Sequence, residues 1–198
     1  MSGDVQSTVL ACAVERWLPR MGDPTVMGWL TVAAYGICAV TALHLVRHAP
    51  FPPVTRRRER LFWTMLGILM AFLAVNEQLD LHSFVTDLGR CIARQQGWYE
   101  SRRIVQREFI LVLLIAAGLV LLAFGWLLRG AVLRNWPALL GLMIVGGVVL
   151  LRAVSFHHVD TVIYVPVLFG ERLHEFVVLA GLGLIFWAAR RQLRRAWR

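Results

Sequence analysis

Four of the six histidines in this 198-residue chain stand among carboxylates, in three short polar clusters. NEQLDLH contains Asn76, Glu77, Gln78, Asp80 and His82. RAVSFHHVD contains Arg152, Ser155, His157, His158 and Asp160, and ERLHE contains Glu171, Arg172, His174 and Glu175. Neutral imidazole with carboxylate is a ligand set suited to zinc, iron, manganese or copper. The candidate ligands are His82, His157, His158, Asp160 and His174. A water on such a metal would titrate near ~7, and Asp80 or Glu77 is the candidate base. There is no HExxH and no closely spaced ligand triplet. Two readings therefore stand side by side: a site for a divalent transition metal or another polar ligand, and a structural network of caps and ion pairs.

Helical spacing would group these residues further. Asn76, Asp80, Ser83 and Asp87 fall at steps of four, three and four, which would line one helix face. His157 with Asp160, and Ser155 with His158, are each three apart.

The elements that must carry these clusters are read from the apolar blocks. The chain is 58% hydrophobic and only 17% charged, where a soluble domain carries about a quarter charged residues. The apolar residues gather at about 26–46, 61–79, 109–128, 138–154 and 173–189. Blocks of ~20 residues at ~1.5 Å per residue match a hydrocarbon core of ~30 Å. The expected fold is an all-α membrane protein: one bundle over residues 1–198, with about five transmembrane helices. Residues 81–96 add an amphipathic interfacial helix, since Phe84, Val85, Leu88 and Ile92 recur around Asp87, Arg90 and Arg94. Val5, Val9 and Trp17 suggest a second, weaker amphipathic segment. Val162–Phe169, apolar but broken by Pro166, is expected as a loop dipping into or packing on the bundle.

All 21 basic residues are arginines. With five crossings, one side receives twelve of them against a single acid, Glu59; the other receives nine, with eleven acids. The arginine-rich side is expected to be cytoplasmic. That puts the N-terminus outside, the C-terminus inside and all three polar clusters on the outer side. Arg152 would lie within the bilayer and should pair with Glu77, Asp80 or Glu175, because an unpaired guanidinium in hydrocarbon is costly. The net charge of +9 serves orientation, not nucleic-acid binding. The expected partners are the lipid bilayer and other membrane subunits.

Cys12 and Cys91 fall on the same expected side, where a disulfide could join them; Cys38 lies inside an apolar block. VLAC at Val9–Cys12 lacks the basic start and long apolar run of a lipoprotein signal. A bis-histidine haem would need facing histidines at one depth, which His82 with His157, His158 or His174 could supply only near the outer surface; His44 and His48 lie toward the cytoplasmic end.

The stretch Asn76–Ile110, with RAVSFHHVD, resembles a pattern of uncharacterised bacterial inner-membrane proteins. That resemblance covers under a quarter of the chain and implies a location in the bacterial inner membrane, with no activity attached. Ser155, His157 and Asp160 are also similar in chemistry to the Ser/His/Asp zinc layer of ceramidase- and progestin-receptor-type membrane hydrolases, which implies a catalytic part for Ser155. Those hydrolases have seven helices and a final HxxxH pair, which this chain lacks. The function expected is an outward-facing polar layer that binds a metal or polar ligand, in a membrane-embedded enzyme. The alternative is a non-catalytic subunit or assembly factor of a larger membrane complex.

Overall fold

A computed structural model describes residues 2–18, 25–97, 102–154, 166–168 and 171–195. Among them the helices are α1 (Ser2–Trp17), α2 (Val26–His48), α3 (Arg56–Leu79), α4 (Leu81–Gln95), α5 (Arg102–Leu127), α6 (Val132–Val154) and α7 (Leu173–Arg195). Helices α2, α3, α6 and α7 are long and apolar enough to cross a membrane, and Leu111–Leu127 of α5 adds a shorter apolar stretch. The protein is an all-α, multi-pass membrane protein.

Helix α2 opens on Thr25, whose side chain accepts from the Gly28 N–H at 3.0 Å. Among its buried residues, Gly28, Thr31, Tyr35, Cys38, Ala42 and Leu45 repeat at steps of three and four, with Ala39 beside them, the spacing of a helix seam. That seam meets Phe62, Trp63, Leu66, Met70 and Leu73 of α3 in one core. The Cys38 thiol donates to the Leu182 carbonyl at 3.3 Å, which ties α2 to α7. Helices α6 and α7 cross at two glycines. A Cβ on Gly141 would stand 2.5 Å from the Gly181 carbonyl oxygen, and one on Gly181 would stand 3.0 Å from that of Gly141. Close backbone approach of this kind is how membrane helices gain van der Waals contact where lipid supplies no hydrophobic drive.

Helix α6 begins before Pro137, which lies inside it, whereas the sequence reading starts the fourth block after that proline. The missing N–H leaves the Leu133 carbonyl without its helical donor, and Leu133 is 90% exposed. A proline one turn inside a helix end costs little when the stranded carbonyl can reach headgroups or water. Helix α5 is anchored mainly near its end: Phe124 and Leu128 are buried, and the Phe124 ring meets Phe62 edge-on at 5.5 Å.

Asp80 ends α3 and starts α4 in the left-handed conformation, φ 50° and ψ 46°, the one non-glycine positive φ among the described residues. The expected face Asn76–Asp80–Ser83–Asp87 is therefore broken. A left-handed residue redirects the chain, so steps of three and four do not carry across it. Aspartate tolerates this region better than most residues.

Past this corner α4 pairs with α1. A disulfide joins Cys12 to Cys91 across 79 residues of sequence. Trp17 Nε1 donates to the Leu79 carbonyl at 2.8 Å, and its ring meets Phe84 edge-on at 5.3 Å. Closing a loop of this length removes chain entropy worth roughly 4 kcal/mol. Buried Asp87 accepts from Arg90 at 3.1 Å. Within the expected Val162–Phe169 loop, the described residues Pro166–Leu168 form β1, antiparallel to β2 (Glu171–Arg172).

Candidate functional site

The ends of α3 and α6 that carry polar clusters meet. Arg152, two residues from the end of α6, donates from Nη1 to Glu77 Oε1 at 2.9 Å. The two side chains are 24% and 12% exposed. Tyr35 of α2 is 1% exposed and close enough to feel both charges. One turn further out on the same face, Thr31 is 3% exposed, and among the described residues its hydroxyl has no hydrogen-bond partner; nor has buried Nε2 of Gln78. His174, the second residue of α7, is 7% exposed, and Glu175 beside it is half-buried.

This end therefore combines a partly buried ion pair, a buried imidazole, two orphan polar atoms and the left-handed Asp80. Backbone strain and unsatisfied buried polar groups cluster where a ligand is held. Ser155, His157, His158 and Asp160 lie outside the described residues, as does the side chain of His82. Among the described residues no three His, Cys, Asp or Glu side chains stand together as a metal-binding group.

A second polar cluster, at the arginine-rich end, went unread in the sequence. Glu59 is 0% exposed. Its Oε1 accepts from the Thr55 hydroxyl and from Arg134 Nη2, and its Oε2 from Arg134 Nε at 2.9 Å and Asn135 Nδ2 at 3.1 Å. Asn135 Oδ1 accepts from Trp63 Nε1 at 3.0 Å and Gln192 Nε2 at 2.8 Å. Asn135 Nδ2 also donates to the Ala131 carbonyl at 2.9 Å. Both carboxylate oxygens and both ends of the carboxamide are satisfied, across α3, α6 and α7. A network of this kind fixes helix register. The usable clue was compositional: one acid among twelve arginines, in a first turn otherwise made of arginine, has to be drawn inward.

No protein family, no curated protein and no solved structure matches the chain.

Proposed function

We propose that this is a bacterial inner-membrane protein with its N-terminus outside and its C-terminus in the cytoplasm. Its outward-facing polar layer binds a divalent transition metal such as zinc, or another polar ligand, as the site of a membrane-embedded enzyme. The observation that carries the reading is the Arg152–Glu77 pair with buried Tyr35, Thr31 and His174 at the same end of the bundle. Ionisable groups this deep in a membrane helix default to function, because burying them is expensive. Of the two candidate bases, Asp80 suits the part better. Glu77 Oε1 already accepts from Arg152 Nη1. His174 would act as a ligand with His82, His157, His158 and Asp160, and Ser155 would stand beside them.

Two independent features support the orientation. Twelve arginines face one acid at one end, and the Cys12–Cys91 disulfide lies toward the other, as an oxidising outer compartment requires. A reporter fused after Arg198 is expected to be active only in the cytoplasm, and one inserted near Gly97 only outside. The reverse pattern would overturn the orientation.

For the ligand, elemental analysis of purified protein is expected to find a transition metal that falls on His174→Ala and on His157→Ala. Zinc added to metal-stripped protein at about a hundredfold over its Kd should stabilise the fold by about 2.7 kcal/mol. A metal-free protein that zinc does not stabilise would end the metal reading.

The non-catalytic alternative rests on α5. From Leu111 to Ala123 its side chains are exposed except for half-buried Leu113, Ala117 and Gly118, a long apolar surface that another membrane subunit could cover. Metal-free protein recovered in a larger complex through this helix would favour that alternative.

A further inference from the structure

We infer that the arginine-rich end is a binding surface for anionic phospholipids, whose headgroup phosphates are held by guanidinium groups arranged around the Glu59 network. The first ground is charge. Glu59, the one acid against twelve arginines at this end, is 0% exposed and engaged by Arg134. No other aspartate or glutamate falls in the segments that carry these arginines. Arg56, Arg57, Arg129 and Arg191 are all exposed.

The second ground is arrangement. A Cβ on Gly130 would stand 3.9 Å from Thr55 Cγ2, so the turn between α5 and α6 packs beside the turn between α2 and α3. Arg129 and the Arg56–Arg57 pair therefore flank one seam. The Gln192–Asn135 hydrogen bond brings the end of α7, with Arg191, to the same level. The rigid interior thus sets the spacing of a basic rim supplied by three separate segments.

The third ground points to lipid over a soluble anion. Arg129 lies over the Trp126 ring at 4.5 Å, and Arg191 over Trp187 at 5.4 Å. Both rings are exposed, at 64% and 49%. Exposed tryptophan at the end of a spanning helix belongs at headgroup depth. A guanidinium lying over a ring keeps its N–H edge free for paired contacts to phosphate oxygens. Each arginine near a lipid surface is worth about fivefold in affinity for anionic lipid.

The test compares lipid retention by native mass spectrometry and thermal stability in two nanodiscs. One is of phosphatidylcholine alone, and the other an equal mixture with phosphatidylglycerol. The wild type is expected to retain phosphatidylglycerol preferentially and to melt higher in the mixture. Arg129→Gln and Arg191→Gln, both surface changes, should each weaken that preference about fivefold. Arg129→Lys should restore part of it, by charge without the paired contact. Inorganic phosphate added to the phosphatidylcholine discs should not reproduce the stabilisation. Equal retention of the two lipids, full replacement by phosphate, or an equal loss in Arg94→Gln at the opposite end would each overturn the inference.

Discussion

Glu59→Ala is expected to be the most damaging single substitution in the bundle, at about 3–5 kcal/mol. The carboxylate is fully buried and receives four hydrogen bonds, from Thr55, Arg134 and Asn135. Its removal takes the carboxylate from the Arg134 guanidinium, only 25% exposed, and frees donors on Thr55 and Asn135. At 2–4 °C per kcal/mol for a chain of this size, the melting temperature should fall by roughly 10 °C. The double substitution Glu59→Ala with Arg134→Ala should cost less than the two single changes summed, because neither charge is then left alone. Thermal unfolding in one detergent reads all three variants. Strict additivity would mean that Glu59 and Arg134 are not coupled as the contacts imply.

The second large effect is steric. At Gly141 an added Cβ meets the Gly181 carbonyl oxygen at 2.5 Å, Ile185 Cγ1 at 2.8 Å and the Ile185 nitrogen at 3.2 Å. Two of these are backbone atoms and cannot swing aside, so α6 and α7 must separate. Gly141→Ala is expected to destabilise by about 1–3 kcal/mol. Gly147 lies on the same helix, with nothing within 4 Å of its would-be Cβ. Gly147→Ala should therefore be neutral, or stabilising by about 0.5–1 kcal/mol through helix propensity. A melt of the two alanine variants side by side separates a close crossing from a general intolerance of change in α6. Equal losses at both positions would remove the crossing from the account.

Much of the architecture was legible because membrane helices announce themselves by length and apolarity. The apolar blocks coincide with helices, and the cost of an isolated guanidinium in hydrocarbon was enough to look for an acid near Arg152, which proved to be Glu77. Cys12 and Cys91 could be suspected of pairing once two intervening spans returned the chain to one side. What escaped the sequence depends on rotation and register. Asn135, Gln192 and Trp63 are separated from their partners by 57 to 76 residues, and each alone looks like an ordinary interfacial residue. Arg134 read as one more orientation signal, although its head turns inward to Glu59. The corner at Asp80 was hidden for a local reason. An aspartate at a helical step fits a continuous face as well as it fits a break, and only the backbone angle tells them apart.

The bond between Cys12 and Cys91 also constrains how the protein is made. Cys12 is synthesised before α2 and Cys91 after α3, so the first thiol must wait through two membrane passages for its mate. If either α2 or α3 failed to thread the bilayer, the two sulfurs would end on opposite sides and could never join. The cross-link is thus a covalent record that this hairpin went in correctly. A misthreaded chain would keep two unpaired thiols, a mark by which quality control could tell it from a finished copy.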